Sequence, residues 1–234
     1  MMDAAIALAK GPLFRIALAV CVLGLTYHFL VTLIQIVQMK QKAADKRVPV
    51  RRLVMATFSW LLPAHLLKIR PLFGLASGLF HLGILAVPLF YVGHVTLWQS
   101  SLPLRWPTLS SGISDALAIL AIVGLVGLLA SRLLYAANRD LTMPQDVILL
   151  VVLLALVASG YWAAHPPSSP LHPRTMLLVH MLLGNLALLL TPLTKIAHCI
   201  LYPLAQFVSD LGWRFPAASG RHVGMVLQKD EESI

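Results

Sequence analysis

The chain is predicted to be all-α and integral to a membrane: a five-helix bundle with its N-terminus outside and its C-terminus in the cytoplasm. Three observations lead there. Of 234 residues, 59% are hydrophobic and 12% charged, and mean hydropathy is +0.83, a balance that a soluble domain does not carry. Five apolar runs each supply roughly the 20 residues that a bilayer core requires. The basic residues behind the net charge of +9 gather in the connections between those runs. That pattern orients a chain in lipid and does not build a phosphate-binding surface. Membrane lipid is therefore an expected partner and nucleic acid is not.

The first run covers residues 14–36. Lys10 and Arg15 precede its apolar stretch, which is long enough to span and stay, so a cleaved signal peptide is not expected. The second run covers 73–98, the third 114–134, the fourth 147–164 and the fifth 176–201. Between the first two, residues 53–70 mix Phe58, Trp60, Leu61 and Leu62 with Pro63, His65, Lys68 and Arg70. Short, proline-broken and basic at both ends, this stretch is expected to lie along the cytoplasmic interface. Residues 164–173, rich in proline, form a stiff outer connection. Residues 1–207 thus make the membrane domain. Residues 208–234, with Gly220, Arg221, His222 and the acidic run Asp230, Glu231, Glu232, form a cytoplasmic tail.

Loop charge gives the orientation. An N-out arrangement leaves Lys10, Arg15, Arg105 and Arg174 outside and the other fourteen basic residues inside, as the positive-inside rule demands. Trp98, Trp106 and Trp162 then gather at the outer interface as an aromatic belt. Together these place the chain in a plasma (inner) membrane as a multi-pass protein. No internal repeat is visible, which removes sequence support for an inverted-repeat transporter.

The chemistry-bearing residues are histidines within the spans: His81 and His94 in the second, His180 and His198 in the fifth. An imidazole at that depth is costly without partners, so it marks a functional position. On a straight helix, the 18 residues from His180 to His198 make five whole turns and about 27 Å of rise, so both rings leave one face. The second span runs outward and the fifth inward. Antiparallel geometry therefore pairs His94 with His180 near the outside and His81 with His198 near the cytoplasm. Thirteen residues separate His81 and His94, which on a straight helix would put them on different faces; Pro88 between them is expected to kink or rewind the segment. Two helices with two histidines each can clamp two b-type haems across a bilayer. Cys21 and Cys199 lie in apolar runs, and no CxxCH motif exists. Haem would thus be held without covalent attachment, and any iron–sulfur cluster would belong to another polypeptide.

Several stretches resemble the gamma subunit of respiratory nitrate reductase. Phe80-His81-Leu82-Gly83-Ile84-Leu85 with Val92-Gly93-His94 is similar to its second span. His180-Met181-Leu182-Leu183-Gly184, then Pro192, Lys195, His198 and Pro203, is similar to its fifth. Asp146-Val147-Ile148-Leu149-Leu150 with Gly160 resembles its fourth. The likeness covers roughly residues 15–205. It implies a membrane subunit that oxidises quinol and passes electrons through two haems b to a cytoplasmic iron–sulfur subunit. His94 and His180 would hold the outer haem, His81 and His198 the inner. Relatives of that subunit serve heterodisulfide-reductase-like and sulfite-reductase-linked complexes. The insert at 53–70 has no counterpart in the nitrate reductase subunit, which favours such a relative.

A quinone would bind beside the outer haem. Gly93, His28, Arg105 and Asp115 are the candidates, although Asp115 also suits a solvated acid at a helix start and His28 a polar contact within the bundle. His65, His165, His172 and His222 are read as interfacial or surface residues. Two other readings stand beside this one: a haem-free membrane anchor or transporter subunit, and a cytochrome b of the hydrogenase or formate dehydrogenase type.

Overall fold

The computed structural model describes residues 1–42, 51, 54–55, 64–101, 105–212 and 224–228, and among these no strand occurs. The helices are α1 (Met2–Lys10), α2 (Pro12–Lys42), α3 (Ala64–Ile69), α4 (Pro71–Phe90), α5 (Val92–Gln99), α6 (Ser111–Leu134), α7 (Ala136–Arg139), α8 (Pro144–Ala164), α9 (Pro173–Leu193) and α10 (His198–Gly212). Five helical stretches are long and apolar enough to cross a membrane: Met2–Lys42, Pro71–Phe90, Ser111–Leu134, Pro144–Ala164 and Pro173–Leu193. The expected spans are therefore present. Of the interfacial segment expected at 53–70, α3 is described, while most of 53–63 lies outside the described residues, as does most of the tail beyond Gly212.

The chain forms two compact units, one of Met1–Val22 with Pro63–Lys195 and the other of Leu23–Leu62 with Ile196–Ile234. In the first unit α4 packs on α6, α6 on α8, α8 on α9, and α1 on α9. Small residues make the α4–α6 contact possible. A Cβ at Gly124 would stand 2.5 Å from the Ala76 carbonyl oxygen and 2.6 Å from the Phe80 nitrogen, and one at Gly83 would run into the Leu117 carbonyl oxygen. The two backbones thus touch almost directly, the contact that drives helix association where lipid supplies no hydrophobic force. Around this crossing Phe80, Leu125 and Leu128 are buried, with Phe73, Ile84, Leu150, Leu153, Leu154 and Val157 packed against them. Leucines and valines elsewhere on these helices, such as Leu85, Val123, Val126 and Ile148, are exposed, as lipid-facing side chains are.

Polar contacts fasten both ends of this unit. At one end the Arg70 guanidinium donates to Asn138 Oδ1 at 2.7 Å, and Asn138 Nδ2 donates to Ser131 Oγ at 2.6 Å. Nearby, the buried Asp146 carboxylate accepts from Lys195 Nζ at 2.7 Å and from the Met143 backbone N–H at 3.0 Å, with Arg132 at 3.7 Å. At the other end Arg174 pairs with Asp3 at 3.0 Å, and part-way along α9 Asn185 Nδ2 donates to the Ala9 carbonyl at 2.8 Å, pinning α1 to α9. Phe14 meets Trp98 edge-on at 5.4 Å.

Two of the expected spans are interrupted. The second is broken at Tyr91, whose backbone is extended between α4 and α5. The fifth ends as an α-helix at Leu193, after Pro192, and continues through a 3-10 turn at Lys195–Ala197 into α10. The straight-helix phasing of His180 with His198 is therefore corrected: no single helix carries both. In the second unit, α2 continues through Tyr27 and His28, whose rings meet edge-on at 5.8 Å, and Thr32 Oγ donates to the His28 carbonyl at 2.8 Å.

Candidate haem and quinone site

The break at Tyr91 builds the site. Proline at position 88 contributes no N–H, and the chain leaves helical geometry three residues later, so successive carbonyls lose their ordinary helical partners. In lipid each must be satisfied internally. Side-chain and backbone donors from beyond the break do this, and one of them also reaches the still-partnered Val87 carbonyl. The Val87 carbonyl accepts from His94 Nδ1 at 3.1 Å as well as from the Tyr91 N–H at 2.9 Å. The Pro88 carbonyl accepts from Trp98 Nε1 at 2.8 Å, the Leu89 carbonyl from Trp106 Nε1 at 2.6 Å, and the Phe90 carbonyl from the Leu109 N–H at 2.9 Å. Trp98 and Trp106, expected as an interfacial belt, thus also cap a broken helix.

His94 faces His180. Their ring centres lie 5.8 Å apart with planes inclined at 43°. Metal–imidazole bonds are about 2.0–2.1 Å long, and ring centres 5.8 Å apart lie within the span that two imidazoles on one metal would cover. Each ring is also held in the tautomer that ligation needs. A carbonyl only accepts, so His94 Nδ1 must carry its proton toward Val87 O, and His180 Nδ1 toward Leu156 O at 3.1 Å. That leaves Nε2 of each ring as the lone-pair nitrogen, the arrangement that second-shell carbonyls impose on metal-binding histidines. Ser159 Oγ donates to the same Leu156 carbonyl at 2.9 Å.

Glycine makes room for this. A Cβ at Gly160 would sit 2.7 Å from His180 Cε1 and 3.1 Å from its Nδ1. The imidazole therefore lies flush on the α8 backbone, which no larger residue at position 160 permits. Gly93 lies under the Tyr91 ring, 2.9 Å from where its Cβ would be, and Tyr91 meets His94 edge-on at 5.5 Å.

His81 sits on the unbroken part of α4, its Nδ1 2.7 Å from the Ser77 carbonyl and its ring edge-on to Phe80 at 4.8 Å. The same carbonyl logic sets its tautomer. His198 opens α10 and belongs to the second unit.

A protein of Nitratidesulfovibrio vulgaris strain Hildenborough is 33% identical to this chain over 158 residues, which is 65% of this chain and 67% of the relative. This chain belongs to that protein's family. No family model and no solved structure matches the chain.

Asp115 is on α6 within the first unit, where its Oδ2 lies 3.4 Å from Nε2 of His165. Arg105 is exposed, and His28 belongs to the second unit. The Asp115–His165 pair escaped the sequence reading, which treated His165 as a surface residue of the outer loop. The one signal for it was that both residues border facing ends of consecutive spans.

Proposed function

We propose that this chain is the membrane subunit of a respiratory redox complex, holding two haems b and moving electrons between the quinone pool and an iron–sulfur subunit on the cytoplasmic face. The observation that carries the reading is the His94–His180 pair. Its rings are close enough that one metal between them would be held by both, both Nδ1 atoms are committed to carbonyls, and a glycine is cut away to seat one ring. A pair of histidines serving only to pack helices would need none of this. The resemblance of the paired-histidine segments to the nitrate reductase gamma subunit agrees, and favours a relative of that subunit.

In this reading His94 and His180 hold the outer haem and His81 and His198 the inner one, with the N-terminus outside, the C-terminus in the cytoplasm and the chain in the plasma membrane. Haem held by two imidazoles takes and gives one electron at a time and keeps no open position for substrate. The residues of this chain supply the rest. The Val87 and Leu156 carbonyls fix ring orientation. The Gly83–Gly124 crossing keeps α4 rigid against α6. Quinol binds near Gly93 and His94, and the basic residues between Lys40 and Arg70 receive the acidic face of the partner subunit.

The test is a reduced-minus-oxidised absorbance spectrum of the purified full-length protein made in a haem-replete host. A b-type α band with two haems per chain is expected. A protein that folds in membranes yet carries no such band is a haem-free anchor, and the reading fails.

A further inference from the structure

At the end of the first unit away from His94, two cations converge on one carboxylate. Asp146, in the first turn of α8, is buried, its side chain 7% exposed, with Lys195 Nζ at 2.7 Å and Arg132 Nη1 at 3.7 Å. The cations stand on its outer side: the Lys195 side chain is 50% exposed and that of Arg132 31%. One buried carboxylate balances one of them and fixes the spacing of both. The second positive charge is left to the outward face.

The neighbouring chain enlarges this charge. Arg132 Nη1 also meets Thr142 Oγ1 at 3.4 Å, which braces the guanidinium. The short helix α7 adds Arg139, which is exposed. Through Asn138, which bonds Ser131 Oγ and receives Arg70, α7 is fastened to the same corner. With Asp140 also exposed, the corner carries Arg70, Arg132, Arg139 and Lys195 against two carboxylates. All of these residues belong to the first unit.

The corner lies where apolar spans end. Arg132 is in the last turn of α6, and Lys195 follows the end of α9 by two residues. Next to the cations in the chain, Leu134, Leu141, Met143 and Leu193 are exposed. A soluble anion gains nothing from such apolar borders, and an acidic protein would leave them wet. An amphiphile uses both. Guanidinium matches a phosphate oxygen pair by parallel N–H···O bonds, and basic pockets between membrane helices take anionic headgroups.

We propose that Arg132, Arg139 and Lys195 bind the headgroup phosphate of an anionic phospholipid, with Asp146 positioning Arg132 and Lys195. The acyl chains lie along the exposed leucines at the ends of α6 and α9. The site needs neither haem nor quinone. Bound there, the lipid ties α6, α7 and the end of α9 together from outside, as Asp146 does from within.

The experiment titrates the purified full-length protein, in a neutral detergent, with dioleoylphosphatidylglycerol or dioleoylphosphatidylcholine and counts bound lipid by native mass spectrometry. A cation beside an anionic lipid is worth about fivefold in affinity, so a preference for phosphatidylglycerol of about tenfold or more is expected. Arg139→Gln and Lys195→Gln should each weaken phosphatidylglycerol binding by about fivefold and leave phosphatidylcholine binding unchanged. Arg174→Gln removes the same charge at the opposite end, beside Asp3, and should change neither. Equal affinity for the two lipids overturns the proposal. So does a loss in Arg174→Gln as large as in Arg139→Gln, which would mean bulk charge and no site. Displacement of the lipid by inorganic phosphate or polyglutamate at matched concentration would assign the corner to a soluble anion or an acidic protein, and also overturn it. If Lys195→Gln does not fold, Arg139→Gln decides alone: a selective loss supports the site and unchanged binding overturns it.

Discussion

The two histidines of the second span sit in contrasting surroundings. His81 stands on an unbroken helix whose backbone is pressed against α6 through Gly83 and Gly124. His94 stands beyond a break, on a helix of about two turns held in place by side chains that cap exposed carbonyls. Backbone-to-backbone packing fixes the first region and hydrogen bonds fix the second. The difference shows how a chain satisfies two demands at once. Helix association in lipid wants small residues and regular geometry, whereas facing a ring across to His180 wants a helix re-aimed part-way along. The carbonyls released by the break, at Pro88, Leu89 and Phe90, are not left over. The Val87 carbonyl just before them keeps its helical Tyr91 N–H and also orients the ring.

The contrast can be broken most severely at the packed crossing. Gly124→Leu places a side chain where Ala76 and Phe80 backbone atoms already stand. Overpacking costs about 1–3 kcal/mol or more, and here the helices must separate, so the variant should fail to accumulate in membranes. Normal expression and melting would show that the close approach is not needed.

Gly160→Ala comes next and acts on the other region. The new Cβ falls 2.7 Å from His180 Cε1. The ring must move while the helices need not, so the protein should fold but lose occupancy at the His94–His180 site, seen as a lower haem-to-protein ratio. Unchanged haem content would mean that the ring tolerates displacement.

Trp98→Phe removes the donor to the Pro88 carbonyl. Leaving a buried acceptor unmade costs about 1–3 kcal/mol. A lower melting temperature is expected, with the absorbance spectrum of the site also altered because the break repositions His94. Trp106→Phe should act in the same direction on Leu89, and less, because that bond is exposed.

The smallest effect is expected at Asp146→Asn. The carboxylate is buried, but its partner Lys195 is half exposed and Arg132 about one-third exposed, so solvent screens much of the attraction. Asparagine keeps an acceptor for the Met143 N–H. A loss of about 1 kcal/mol or less is expected, with no change in haem content, since this cluster fastens the end of the unit away from His94.

Much of this was legible in the sequence, for identifiable reasons. Apolar runs of membrane length announce themselves, because lipid leaves little choice of residue over about 20 positions. The His94–His180 encounter follows from antiparallel order alone, since adjacent spans alternate direction. The break at Tyr91 was half legible. Pro88 signalled a distortion, but its position depends on Trp98 and Trp106, whose role as caps appears only when the carbonyls they reach are known. The break after Leu193 was missed because Pro192 alone resembles the tolerated prolines of other membrane helices. His165 was missed because a histidine beside prolines at a span end has the signature of a surface loop, and its partner Asp115 lies 50 residues away in the chain.

The central claim is that His94 and His180 share one haem, and a comparison of three variants tests it most directly. Haem content and reduced-minus-oxidised spectra would be recorded for His94→Ala, His180→Ala and the double variant. Residues that act as one unit are non-additive, so each single variant should lose the same spectral component, and the double variant should lose no more than either. Loss of different components, additive losses, or spectra unchanged from the unaltered protein would contradict the account.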